Sequence, residues 1–119
     1  MSFATIIAIS IVALIHVYIL VLEMFLWDKP AGLRAFGQTQ QAATASKVLA
    51  ANQGLYNGFL AAGLVMSILQ GREGFHTAIF VLTCVIIAGI YGAVTASRKI
   101  LYVQALPALI ALILVHFPA

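Results

Sequence analysis

The chain has 119 residues, of which 64% are hydrophobic and 8% charged, and a formal net charge of +3; its mean hydropathy is +1.12. Soluble domains carry about 25% charged residues, so this composition excludes an ordinary soluble domain and is that expected of an integral membrane protein. Lys and Arg spread over membrane loops serve topology and lipid headgroups, so the basic balance implies no nucleic-acid partner.

The length accommodates four spans of about 20 residues, expected at residues 3–27, 48–69, 76–97 and 100–117. No separate soluble domain fits in the remainder. The predicted architecture is an all-α membrane protein, a single domain forming a compact bundle of four transmembrane helices. The first apolar segment is too long for a signal-peptide core and lacks a basic leading region, so it is expected to stay as the first span. Within it His16 and Glu23 are seven residues apart and Trp27 follows four later, which puts the three nearly on one face. That face is expected to turn inward, with Tyr18 roughly opposite.

In the connection that follows, Pro30 and Gly32 stop the helix, the stretch Leu33 to Phe36 is read as an interfacial turn, and Thr39 is placed to cap a helix starting near Gln40. The second span carries Asn52, Gln53, Tyr56 and Asn57 within an arc of about 140°, a polar stripe in an otherwise apolar helix. Gly54, Gly58 and Ala62 repeat every fourth residue on another side, the small-residue pattern that lets a neighbouring backbone approach. The third span repeats that pattern with Ala88, Gly92 and Ala96 and holds the single cysteine, Cys84, read as a small buried hydrophobe that has no cysteine to pair with in the chain. In the fourth, Pro107 removes one backbone hydrogen bond and is expected to kink the helix.

Loop charge orients the bundle. Lys29, Arg34 and Lys47 fall between the first two spans and Arg98 and Lys99 between the last two, whereas only Arg72 lies between the second and third. The bias places the first and third loops in the cytoplasm and both termini outside. At about 1.5 Å per residue, Glu23, Asn52, Gln53, Tyr91 and Gln104 then lie in the cytoplasmic half, and Tyr56 and Asn57 lie near the midplane with His16.

An acidic side chain facing lipid costs about 2.5–3.5 kcal/mol on insertion scales, so Glu23 is expected to face the bundle, within hydrogen-bond reach of Asn52, Gln53, Tyr56, Tyr91 or Gln104. It is the foremost proton-carrying or cation-recognising candidate. Glu23, His16, Trp27, Asn52, Gln53, Tyr56, Asn57, Tyr91 and Gln104 together form the candidate ligand-binding or proton-carrying set, and none is assigned a catalytic role. The structural alternatives are that Glu23 snorkels to headgroups or clamps helices, that the amides fasten helices together, that His16 is a hydrogen-bonded core residue, and that Trp27 is an interfacial anchor. His16 and Glu23 are about 10.5 Å apart along the helix axis, too far to chelate one ion readily, so no metal is expected. There is no phosphate loop, dinucleotide fingerprint, nucleophile elbow or paired-cysteine motif. No cofactor is expected.

Four blocks together resemble a known family: His16 to Tyr18 with Leu22 to Trp27; Val48 to Gly58 around Asn52, Gln53, Gly54, Tyr56 and Asn57; Ala88 to Gly92 around Tyr91; and Val103 to Ala108 with Gln104 and Pro107. They are similar to the small membrane-protein family catalogued as domain of unknown function 1304, over nearly the whole chain and without departure from its pattern in any block. The resemblance implies a four-span bacterial membrane protein, multi-pass in the inner membrane, and supplies no activity, substrate or catalytic residue. From the residues, the leading functional expectation is a binding or transport module with a cytoplasm-facing polar cavity for a small amphiphilic molecule. A homodimer suits so small a bundle. The alternatives are a membrane-embedded enzyme acting on a lipid or isoprenoid-like substrate, with Glu23 and His16 as acid and base, and a structural accessory subunit.

Overall fold

Thr39 opens the longest helix. Its hydroxyl accepts the backbone N–H of Ala42 at 3.1 Å, occupying one of the donors that a helix start leaves unpaired. In the computed structural model, which describes residues 1–117, this helix is the third of five: α1 (Phe3–Met24), α2 (Pro30–Phe36), α3 (Gln40–Leu69), α4 (Gly74–Thr95) and α5 (Leu106–Val115). A 3-10 turn, Gly71–Glu73, leads into α4, and a π-helical segment, Leu101–Ala105, leads into α5. No strand occurs among the described residues, so the all-α expectation holds.

The stretch read as an interfacial turn is instead a short helix, α2. Pro30 stands in its first turn, where a missing N–H removes nothing, and Gly37 ends it at φ 62, with its N–H donated to the carbonyl of Leu33. Gly32 is buried, and a Cβ there would lie 2.0 Å from the carbonyl oxygen of Leu26. Gly74 has the same function at the start of α4: its missing Cβ would fall 1.8 Å from the carbonyl oxygen of Ser67.

Two helical stretches combine the length and apolarity needed to cross a membrane, Phe3–Met24 and Gly71–Thr95. The count of four is not met among the described residues, for two different reasons. α3 has 30 residues, but its amides and polar first turns dilute its apolar character; Leu101–Val115 is apolar but shorter. Pro107 accounts for the form of that last stretch. Without an N–H it cannot bond the carbonyl four residues back, and its ring crowds that carbonyl. The preceding turn widens to the π form, in which the N–H of Leu106 bonds the carbonyl of Leu101, five residues back. The expected kink is thus taken up as a wide turn.

The chain divides into two compact units. The first comprises Met1–Ile15 with Leu60–Ala119. Its core holds Ile9, Val12, Leu64, Leu82, Val85 and Ala108, and the Thr5 hydroxyl donates to the carbonyl of Leu114 at 3.0 Å. α4 closes on the π segment through Gly89, where a Cβ would stand 3.0 Å from the Ala105 nitrogen, and through Gly92 against Ile100. The expected stripe Ala88, Gly92, Ala96 is corrected accordingly: Ala88 and Ala96 are exposed and Gly89 replaces them, because Gly89 and Gly92, three residues apart, share the inner face.

The second unit is His16–Phe59. Here the glycine stripe of α3 meets α1: a Cβ on Gly54 would lie 2.6 Å from Met24 Cγ, and one on Gly58 would lie 2.8 Å from Leu20 Cδ1. The third expected member, Ala62, is exposed, and Ala61 is buried instead.

The atoms that an added Cβ would meet rank these glycines. Leu20 Cδ1 is the end of a flexible side chain, so Gly58→Ala is expected to cost little, whereas Gly58→Leu overfills the contact and should destabilise by about 1–3 kcal/mol. Gly74→Ala and Gly32→Ala, each driven against a backbone carbonyl, should lower the melting temperature in detergent more than Gly58→Ala does. Thermal unfolding followed by circular dichroism checks the order.

Candidate functional site

Near the end of α1 stands an acid that the fold hides. Glu23 is 8% exposed and Asn57, halfway along α3, is 9% exposed. The Asn57 amide donates through Nδ2 to Glu23 Oε1 at 2.6 Å and also to the backbone carbonyl of Gln53 at 3.3 Å. An amide nitrogen has two hydrogens, so one side chain both serves the carboxyl group and ties itself to its own helix. Gly54 makes this approach feasible. It lies three residues before Asn57 on the same helical face, and its missing Cβ would stand 3.1 Å from Glu23 Cβ.

Beyond Glu23 the chain builds a fixed aromatic wall. Trp27 Nε1 donates to Ser46 Oγ at 3.0 Å, and that hydroxyl donates to the carbonyl of Ala42 at 2.8 Å. On its other side the indole packs against Phe36 of α2, with ring centroids 4.8 Å apart. Between wall and acid lies a cleft of about 190 Å³ lined by Glu23, Trp27, Ser46, Leu49, Ala50 and Gln53. At the adjoining turn Lys47 Nζ pairs with Asp28 at 3.1 Å, and Gln40 Nε2 donates to the Asp28 backbone carbonyl at 3.1 Å. The hydrogen bond from Lys47 holds the Asp28 carboxyl below the usual carboxylate range.

The profile of a family described as protein of unknown function (DUF1304) matches residues 10–116, a span that contains the acid, its amide partner and every residue of the cleft. The chain belongs to the DUF1304 family. Among its relatives is an uncharacterised protein, YpaA, of Lactococcus lactis subsp. lactis (strain IL1403), 33% identical over 115 residues that cover 95% of this chain and 97% of the relative. No solved structure matches the chain. The DUF1304 assignment agrees with the resemblance drawn from the sequence blocks and adds no chemistry to them.

Of the nine candidate residues in this DUF1304 chain, the structure gathers Glu23, Trp27, Gln53 and Asn57. The expected partners of Glu23 were Asn52, Gln53, Tyr56, Tyr91 and Gln104; its hydrogen-bond partner is Asn57. Asn52 and Tyr56 are exposed, Tyr56 lying edge-on to Phe59 at 5.9 Å. Tyr91 is 71% exposed. Gln104 spends its amide on the backbone carbonyl of Val85 at 3.1 Å, and His16 is fully buried. Depth along the membrane normal ignored direction around the helix, and direction decides the pairing. Ser46 was missed. Its signal is the spacing of Ala43, Ser46, Ala50, Gly54 and Asn57, a run of small or amide residues three and four apart that marks the inner face of α3.

A double-mutant cycle with Glu23→Leu and Asn57→Leu is expected to give a coupling of roughly 1.5–3 kcal/mol, the range for a hydrogen bond to a charged group, read by thermal unfolding in detergent. For Asp28 the sign follows from its lowered value. Its contribution is complete above the ordinary carboxylate range and lost as pH falls through the lowered folded-state value. The melting temperature of Asp28→Asn should lie slightly below wild type at pH 7, and the gap should close below about pH 4.

Proposed function

We propose that this DUF1304 protein is a multi-pass membrane protein in which α1, α3, α4 and the Leu101–Val115 stretch all lie in the bilayer, and that its cleft binds or passes a small amphiphilic molecule. The membrane reading is supported by where the apolar side chains lie. α1 and α4 leave most of theirs at the surface, with Phe3 and Leu14 on α1 and Phe80, Ile87 and Val94 on α4 more than half exposed, and Val48, Leu49 and Leu69 do the same on α3. Water disfavours so much exposed hydrocarbon, whereas lipid accommodates it. The core helix of a soluble protein is mostly buried, and these are not. Loop charge supports cytoplasmic placement of the turn carrying Lys29 and Arg34 and of the one carrying Arg98 and Lys99.

One observation carries the functional part: a nearly buried carboxyl group, held by the Asn57 amide, lines a cleft whose other residues bring indole, hydroxyl, amide and aliphatic groups. A helix clamp needs the Glu23–Asn57 pair alone, with no cleft beside it. A binding site needs both. In the transport version of the reading, the cleft opens to the cytoplasmic side, where Trp27 and Ser46 lie.

Two measurements test this. Thr39→Cys in a Cys84→Ser background should react with a membrane-impermeant maleimide only after the cells are permeabilised; labelling of intact cells overturns the orientation. Trp27 is the only tryptophan of the chain and lines the cleft, so its fluorescence reports occupancy. In non-ionic maltoside micelles at least one of butylammonium, butan-1-ol and butanoate should change its emission saturably. A merely linear response to all three removes the binding reading.

A further inference from the structure

The cleft beside Glu23 carries enough chemistry to say which small amphiphile suits it. Its size comes first. At about 190 Å³ the cleft is below the range of roughly 300–1,000 Å³ typical of pockets for drug-sized ligands. The cleft therefore takes a headgroup and a short stem rather than a bulky aromatic cation.

Charge comes second. The lining contains one acid and no base, and the nearest cation in the sequence of α3, Lys47, is engaged with Asp28 at 3.1 Å. Asn57 supplies Glu23 with a neutral donor on one oxygen and no counter-charge. A cation entering the cleft would supply it, whereas an anion would add repulsion to the desolvation of the acid.

Hydrogen-bond chemistry narrows the cation. Glu23 offers carboxylate oxygen, and Gln53 offers a side-chain carbonyl. Ser46 Oγ accepts from Trp27 and donates to Ala42, which leaves one lone pair. Three residues of the lining carry acceptor oxygens, enough to meet the three N–H donors of a primary ammonium, whereas a quaternary ammonium has none to give. Trp27, fixed between Ser46 and Phe36, adds an indole whose π face attracts cations. Leu49 and Ala50 supply apolar surface for the stem. We propose that the cleft takes a primary ammonium group carried on a short apolar chain, with Glu23 as its counter-ion and Gln53 and Ser46 as further acceptors. This rests on the small-amphiphile reading above and specifies it. The same group is available from a free alkylamine or from the aminoethyl head of a phospholipid.

The test uses the full-length protein in maltoside micelles, with Trp27 emission as readout. Butylammonium is expected to saturate the signal at a concentration at least about tenfold lower than butan-1-ol, butanoate or butyltrimethylammonium, the difference expected when hydrogen bonds to a charged group are made or lost. Glu23→Gln, which keeps an oxygen for Asn57, should weaken butylammonium by at least about tenfold and leave butan-1-ol unchanged. If butan-1-ol saturates as readily as butylammonium, the cation assignment falls while the small-amphiphile reading stands; if none of the four saturates, both fall. The comparison of ligands on the wild-type protein decides the matter even where Glu23→Gln does not fold. Doping the micelles with phosphatidylethanolamine identifies the source. A rightward shift of the butylammonium curve supports the ammonium site with a lipid-borne amine as occupant, and an unmoved curve supports it with a free amine.

Discussion

A carboxyl group removed from water must find a donor, because an unanswered one costs several kcal/mol, and much of the unit His16–Phe59 follows from that requirement. Asn57 can supply the donor only if α3 comes within side-chain reach of α1, and the helices come that close only where α3 has no side chain. Gly54 and Gly58 provide that absence against Met24 and Leu20. The polar contact and the glycine contact are therefore one feature: either glycine replaced by a large residue would separate the acid from its amide. This also explains why Asn57 makes its second bond to the carbonyl of Gln53, since a donor anchored to its own helix presents the other hydrogen in a fixed direction.

The wall of the cleft rests on a different kind of constraint. Trp27 lies beyond the last turn of α1, where a chain end would ordinarily be free to turn. Its indole is fixed at both ends, by the Ser46 hydroxyl and by the Phe36 ring. The second of these depends on α2, which depends in turn on Pro30 to begin, Gly32 to fit beneath Leu26 and Gly37 to end. A seven-residue helix would be marginal alone; here it is kept by what it holds.

Local chemistry was legible in the sequence wherever one residue decides the outcome. Thr39 marked the start of α3 because a side-chain oxygen before a helix has a specific donor to meet, and the Gly54 and Gly58 contact followed from size alone. The inward face of Glu23 was legible from the cost of the alternative. What failed required knowledge of rotation. Asn52, Tyr56 and Asn57 lie within one broad arc, yet Asn57 alone of the three is buried, because the roughly 100–140° of rotation between it and the other two decides which reaches α1. The same uncertainty exchanged Ala62 for Ala61 and Ala88 for Gly89. Among the described residues two of the four expected spans have membrane length and apolarity together; α3 falls short because its amides serve the site at the expense of its hydropathy, and the last stretch because Pro107 interrupts the helix.

The wide turn at Leu101–Ala105 has a consequence for how this part of the chain is compared among its relatives. A turn closed by a bond to the fifth residue holds one residue more than an α-helical turn, and one residue corresponds to about 100° of rotation. A single helical wheel drawn through Tyr102 and Ala108 therefore assigns one of them to the wrong side. A relative lacking one residue in this stretch could restore a regular helix and keep every later side chain in its place. Length variation by one residue here would thus mark the loss of the π turn, not a different fold.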